Sequence, residues 1–343
     1  MVNTKKFNKT RPNNSNKLNP QTDILIKSCN LKENLSSLEE ELIAEKYKVN
    51  KKIGHGSYGQ IWMGTNTQTD ELVAIKLESR NSFESQLAME NKVYQLLRGK
   101  KGFPNIYYFG QHCGRYVLVM EMLDRNLESM FQLCGHKFTL KTIIFIGVQL
   151  LSRFEQIHQC GIIYRDVKPE NFMLATTSST IYVVDFGLSK PYRDMTGAHI
   201  RYRQTHELIG TTRYMSVRAH DGKEQSRRDD LEALCYVLLY FLRGKLPWSG
   251  LVASNFKKHN QMICALKRDT PLEELFHGFP IEFSYFMTYV RHLRFIEEPN
   301  YEKVRLMFKR LFTNRLKYQN DGQYDWHVQQ AQVSNHSVAK VVL

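Results

Sequence analysis

The chain has 343 residues, 42% of them hydrophobic, enough for one large domain or two lobes around a cleft. Its formal net charge of +14 attracts acidic partners: phosphoproteins, anionic lipid heads or nucleic acid. The six cysteines (Cys29, Cys113, Cys134, Cys160, Cys235 and Cys264) form no C-x-x-C pair, which argues against a zinc ribbon or disulfide scaffold and suits a reducing compartment.

Residues 1–45 read as a polar extension, rich in Asn, Lys, Ser and Thr. Such a segment buries too little surface to offset its ordering entropy, so it is expected to stay largely disordered. It has no apolar core of a signal peptide. Ser36-Ser37-Leu38-Glu39-Glu40 resembles a capped helix start and predicts a short helix over Ser37 to Tyr47. From Tyr47 to Leu77 the pattern turns strand-like: Tyr47-Lys48-Val49 leads to Ile53, then Gln60 to Gly64, then Leu72 to Leu77. Ser85 to Arg98 predicts a helix with Leu87, Val93, Leu96 and Leu97 on one broad face. Tyr116 to Met120 reads as a buried strand. Beyond Leu127 helices dominate: Thr139 to Gln159, Arg228 to Leu242, and segments between Phe283 and Phe312. The apolar runs Thr142–Leu151 and Tyr236–Leu242 are too short to span a bilayer, and the Val341-Val342-Leu343 end offers no cysteine for prenylation. The expected class is α+β: a small β-rich lobe over about 46–122 and a larger helical lobe over about 123–326, followed by a short tail at 327–343. No internal repeat is visible.

Four segments carry chemistry. Gly54-His55-Gly56-Ser57-Tyr58-Gly59 matches G-x-G-x-x-G, a pattern shared with dinucleotide folds. Here the chain continues into the strand at Gln60-Ile61-Trp62, not a helix, which favours a phosphate-covering strand turn. Lys76 ends Val73-Ala74-Ile75-Lys76, where its ammonium can face phosphate. It needs a carboxylate partner, and Glu90 is the candidate, with Glu84 also nearby. Tyr164-Arg165-Asp166-Val167-Lys168-Pro169-Glu170-Asn171 puts a carboxylate, a cation and a carboxamide in one loop. Asp166 suits a base or orienter for a hydroxyl, Lys168 a counter-charge for a moving phosphoryl group, and Asn171 a metal ligand. Asp185-Phe186-Gly187 supplies a second ligand for Mg²⁺. Met120-Glu121-Met122-Leu123 ends a buried strand, where the backbone of Glu121 and Leu123 can meet an adenine edge with Met120 behind it.

These motifs resemble the eukaryotic protein kinases, and further segments resemble the casein kinase 1 family. The carriers are Glu224-Gln225-Ser226-Arg227-Arg228-Asp229-Asp230-Leu231-Glu232-Ala233-Leu234, Tyr214-Met215-Ser216-Val217-Arg218 where most kinases have A-P-E, Leu246-Pro247-Trp248-Ser249-Gly250-Leu251, and Tyr324-Asp325-Trp326. Tyr164, where most kinases have His, is similar to the membrane-associated gamma type. The resemblance runs from about Tyr47 to Trp326. It implies a bilobal serine/threonine kinase using ATP and Mg²⁺. The implied ATP site is Ile53, Gly54, His55, Gly56, Ser57, Tyr58, Gly59, Ile61, Ala74, Lys76, Glu90, Met120, Glu121 and Leu123; the implied catalytic pair is Asp166 and Lys168, with the metal on Asn171 and Asp185. Asp230 resembles the aspartate that braces the catalytic loop, and Thr211 the threonine that contacts the catalytic Asp and Lys.

The family prefers substrates that are acidic or already phosphorylated, and Arg213 with Gly250 resembles part of that anion site; a guanidinium offers phosphate paired donors. The family's lysine there falls on His259, which is charged only when protonated, so Lys257 and Lys258 enter as alternatives. Arg218 stands in place of the usual Asn, and Thr212 in place of a common Ala. The basic stretch used by some relatives for nuclear entry is thinned to Asn255-Phe256-Lys257-Lys258, so the expected place is the cytoplasm, with the nucleus also open. The short stretch after Trp326 implies that tail autoinhibition is absent or moved to the N-terminal extension. A monomer acting on protein substrates is expected. A kinase fold used only as a scaffold requires a broken catalytic set, and none is broken. A specific nucleic-acid reader lacks a zinc finger, aromatic RNA motif or basic zipper to support it.

Overall fold

A computed structural model describes residues 42–56, 59–78 and 85–327. The expectations for 1–41, Ser57, Tyr58, Glu84 and the tail from 328 lie outside these residues. The first lobe is a five-stranded antiparallel sheet in the order β1-β2-β3-β5-β4, from β1 (Tyr47–Gly56), β2 (Gly59–Asn66), β3 (Leu72–Glu78), β4 (Ile106–His112) and β5 (Arg115–Glu121). Strand parity decides what faces the cleft. Val73, Ile75 and Leu77 join Trp62, Val117 and Val119 in a cluster on one face. Ala74 and Lys76 therefore point to the other face, where Leu118 and Met120 pack with helix α1 (Gln86–Leu97). Because β5 is buried on both faces, it reads as an unbroken apolar run.

Two expectations need correction here. Residues 42–47 form no helix: Ile43 pairs with Tyr47 across a tight turn, because Ile43 and Tyr47 close the edge of the sheet's apolar cluster. On α1, Leu87, Val93 and Leu97 are buried beside Glu90 and Tyr94, but Leu96 is 52% exposed. At 100° per residue Leu96 falls off the stripe set by Glu90, Val93, Tyr94 and Leu97.

The second lobe is built on helices. The long ones are α3 (Leu140–Gln159), α5 (Arg227–Arg243), α6 (Phe256–Asp269), α8 (Ile281–His292) and α9 (Tyr301–Arg310); α2 (Leu127–Leu133), α4 (Val217–His220) and α7 (Leu272–Leu275) are short. Thr139 caps α3 by accepting from the Thr142 amide, and Asp325 accepts from the Thr139 amide and hydroxyl, pinning the end of the domain to the helix start. At the start of α5 the Asp229 carboxylate accepts from the Ser226 amide at 2.8 Å, and Gly244, at φ 80°, ends the helix. Helix α5 is buried along nearly its whole length, between α3 and α8. Its first turns carry Arg227, Arg228, Asp229, Asp230 and Glu232 into the interior, where each charge needs a partner.

Two short β-ribbons frame the loops between the lobes. β6 (Ile162–Ile163) pairs with β9 (Lys190–Pro191), and β7 (Phe172–Leu174) with β8 (Ile181–Val183). The Tyr164–Asn171 loop leaves β6 and enters β7, and Asp185 follows β8. Both segments are thereby delivered to one edge of the cleft.

Candidate active site

Lys76 is the meeting point of the two lobes. Its Nζ donates to Glu90 Oε2 at 2.7 Å and to Asp185 Oδ1 at 3.0 Å. Burial opposes charge on Lys76, but the two carboxylates outweigh it and hold the ammonium above lysine's ordinary range. Burial likewise works against charge on Glu90, with Lys76 pulling the other way. We assign this pair as ionised, since two carboxylates converge on one ammonium. Asp185 is also opposed by burial, and the charge and hydrogen bond of Lys76 carry its carboxyl below the usual range. Glu84 lies outside the described residues; within them Glu90 is the partner.

The backbone of Asp185 sits at φ 63°, the left-handed region that an aspartate seldom adopts. Tyr94 Oη accepts from its amide at 3.2 Å. Phe186 is buried edge-on against Tyr94, ring centres 5.1 Å apart, and against Tyr164 at 5.3 Å. These contacts hold Asp185 toward Lys76.

The Asp166 carboxylate is fixed on both oxygens. Oδ1 accepts from Thr211 Oγ1 at 2.9 Å; Oδ2 accepts from Lys168 Nζ at 2.6 Å and from Asn171 Nδ2 at 3.1 Å. Asn171 Nδ2 also donates to the Asp166 carbonyl at 3.0 Å. With its nitrogen so committed, Asn171 has its amide oxygen to offer a cation. Beneath this, Asp230 accepts from the amides of Tyr164 and Arg165, each at 2.8 Å, on separate oxygens. His158 Nε2 lies 2.9 Å from Asp230 Oδ2, and Tyr301 Oη lies 2.6 Å from His158 Nδ1. Arg165 sits at φ 68°, so Asp230 braces a backbone turn that would otherwise relax.

Between the lobes lies a cavity of about 600 Å³. Of the residues expected at a nucleotide site, Ile53, Gly54, His55, Ile61, Ala74, Lys76, Glu90, Met120, Glu121 and Leu123 line it, together with Lys168, Asn171 and Asp185. Gly59 does not. Gly59 pairs with Glu78, and a Cβ there would meet the Leu77 carbonyl at 1.9 Å, so packing alone demands this glycine. Gly54 is different: a Cβ would touch nothing nearer than Ile61 at 3.7 Å. The protein itself leaves room there. Glu121 turns its carboxylate to Asn105 and Tyr182, so its contribution to the cavity is backbone.

A protein kinase domain model matches residues 47–294. Casein kinase I homolog 2 of Schizosaccharomyces pombe is 46% identical over 296 residues, 84% of this chain and 67% of that protein. Homolog 1 of the same yeast is 45% identical over 295 residues (84% and 66%), and homolog 3 is 43% identical over 296 residues (85% and 67%). The chain belongs to the casein kinase I family. It is a serine/threonine protein kinase with the bilobal kinase fold, and ATP binding follows from that. The match spans about two thirds of each relative's length.

The residues expected to bind an anion are spread over two elements of the kinase. Arg213 is exposed, its guanidinium 5.8 Å from the Tyr214 ring centre. Trp248 Nε1 donates to the Arg213 carbonyl at 2.8 Å, which joins Arg213 to the stretch ending at exposed Gly250. Lys257 and Lys258 are exposed on the first turn of α6, after the Asn255 cap, and His259 is half-buried. Among the described residues no hydrogen bond or ion pair joins these lysines to Arg213. Among the described residues no helix is long and apolar enough to cross a membrane.

Sequence reading missed several residues that line the cavity: Tyr94, Met122, Asn126, Glu170, Met173 and Val184. Tyr94 was within reach, since it follows Glu90 by one helical turn and shares its face. Asn126 gives no such signal: it enters because it caps α2 and bridges to Met173.

Proposed function

We propose that this kinase transfers the γ-phosphoryl group of ATP, with Mg²⁺, to Ser or Thr side chains of acidic or already phosphorylated proteins. The observation that carries the reading is the Asp166 carboxylate, held by Thr211 on one oxygen and by Lys168 and Asn171 on the other. A carboxylate so fixed can orient a substrate hydroxyl and accept its proton without first finding its own rotamer. The Lys168 ammonium, 2.6 Å from that carboxylate, offsets charge that develops as the phosphoryl group moves. Lys76 places the phosphates, and Glu90 keeps Lys76 in the cleft.

The donor set fits magnesium. Asp185 and Asn171 offer two hard oxygens, and Mg²⁺ typically takes few protein ligands, filling the rest of its shell with phosphate oxygen and water. When bound, the ion neutralises phosphate charge. Asp185, kept ionised by Lys76, is matched to that role.

The acidic preference rests on Arg213, an exposed guanidinium on a tethered backbone segment that begins at Thr211. Paired donors suit phosphate or carboxylate. A peptide array comparing phosphorylated, acidic and neutral residues upstream of the target Ser tests this. Arg213→Ala is expected to lower the primed-to-neutral ratio about tenfold, the worth of one charge-assisted contact. An unchanged ratio would move the preference elsewhere.

A further inference from the structure

Lys267, on α6, is fully buried at 0% exposure, a rare fate for a lysine. It is also fully partnered. Its Nζ donates to the Thr212 carbonyl at 2.8 Å and to the Met215 carbonyl at 2.8 Å, and lies 3.1 Å from His220 Nε2. Two of the three donors of an ammonium are thus taken by carbonyl oxygens, and His220 Nε2, which also lies 3.1 Å from the Thr212 carbonyl, closes the third side in a role set by its tautomer. Two aromatic faces complete the shell: the Tyr236 ring centre at 4.7 Å and the Trp248 ring centre at 5.1 Å. Trp248 in turn donates to the Arg213 carbonyl at 2.8 Å. The carbonyls of Thr212, Arg213 and Met215 are thus gripped by Lys267 or by the indole it stacks on. None of these contacts involves the residues lining the nucleotide cavity, apart from the chain continuity through Thr211.

We propose that Lys267 is a positioning residue for the protein substrate: its tripod of contacts fixes the Thr212–Met215 backbone, and with it Arg213, in the path of the incoming chain. This rests on the reading that Arg213 faces the protein substrate. The alternative is an ordinary core lysine, whose loss weakens the whole fold without favouring one substrate over the other.

The two separate by kinetics on the full chain. Lys267→Met, Lys267→Arg and the wild type are compared for KM toward a casein-derived peptide, KM toward ATP, kcat and thermal unfolding. Lys267→Met is expected to raise the peptide KM by about tenfold or more while the ATP KM stays within about twofold. Lys267→Arg keeps the charge but presents a planar fork in place of a tripod, so it is expected not to restore the peptide KM. Equal changes in both KM values, an unchanged peptide KM, or full restoration by Arg overturns the proposal. Should Lys267→Met fail to fold, His220→Ala removes the imidazole that touches both Lys267 Nζ and the Thr212 carbonyl and is expected to raise the peptide KM about threefold, again without ATP KM moving; a folded His220→Ala with wild-type peptide KM overturns it equally. A wild type that phosphorylates no peptide brings down the underlying reading, and this one with it. Normal wild-type transfer beside an unaltered Lys267→Met enzyme brings down this one alone.

Discussion

Replacing Asp230 with Asn changes one oxygen to an NH₂ group and nothing in size, yet the structure leaves it no good orientation. Asp230 receives the Tyr164 amide on Oδ2 and the Arg165 amide on Oδ1, each at 2.8 Å. Asn has a single oxygen, so whichever way the amide turns, one backbone N–H faces another donor. The loss is a hydrogen bond to a charged acceptor plus a buried unpaired donor, about 1.5–3 kcal/mol. The strain of Arg165 at φ 68° is of the same order, about 1–3 kcal/mol. The brace and the strain it opposes are therefore nearly matched, and the turn before Asp166 is expected to relax. A shift near 1 Å at the reacting group costs about 10²-fold. The expected result is kcat down about 10²-fold at saturating ATP and peptide, with a thermal midpoint lower by several degrees, about 2–4 °C per kcal/mol for a domain of this size. Steady-state kinetics and a thermal melt on the same preparation measure both. A wild-type kcat in a folded Asp230→Asn enzyme would refute the claim that Asp230 positions the catalytic loop.

Glu90→Gln removes one of two carboxylates on Lys76. Asp185 remains, so stability is expected to fall by less than the 3–5 kcal/mol typical of a broken buried pair, about 1–3 kcal/mol, while the ATP KM rises about tenfold; urea unfolding and ATP titration check the two parts. His220 gives a pH test. Burial, then the charge of Lys267, lowers its pKa from the ordinary 6.5 to about 3. The unfolded chain takes up a proton that the fold refuses, so the stabilising contribution is present above pH 6.5 and is lost as pH falls toward about 3. His220→Ala is expected to reduce the slope of unfolding free energy across that window by up to about 1.4 kcal/mol per pH unit. Urea titrations at stepped pH read the slope; identical slopes in both proteins would contradict it.

The residues that meet at the cleft were legible in the sequence because phosphoryl transfer asks for particular side chains at fixed spacings, and the strands carrying them follow a two-residue period. Ala74 and Lys76 share a face for that reason, and Lys76 reaches Glu90 across it. Helix α3 was legible from its Thr139 cap to Gln159 because one apolar stripe runs through it. What stayed hidden depends on contacts between distant segments. Ile43 pairs with Tyr47 where local signals suggested a helix, because closing the sheet edge buries both. Helix α6 carries little local signal: Asn255 to Lys258 reads as a basic stretch, and nothing local tells that Lys267, more than two turns further on, is buried under Thr212 and Met215. The pairing of Glu232 with Arg218 and Arg291, at 3.9 and 3.7 Å, is likewise invisible in the linear chain, though it seats the start of α4 where most kinases place A-P-E.

The central claim is that Asp166, held by Thr211, Lys168 and Asn171, serves transfer from ATP to a protein hydroxyl. It is tested most directly by incubating the full chain with γ-labelled ATP, Mg²⁺ and casein, beside Asp166→Asn. The account expects label on serine and threonine with the wild type, and a loss of about 10²-fold or more with Asp166→Asn while ATP still binds. Absence of transfer by the folded wild type, or full transfer by Asp166→Asn, would contradict it.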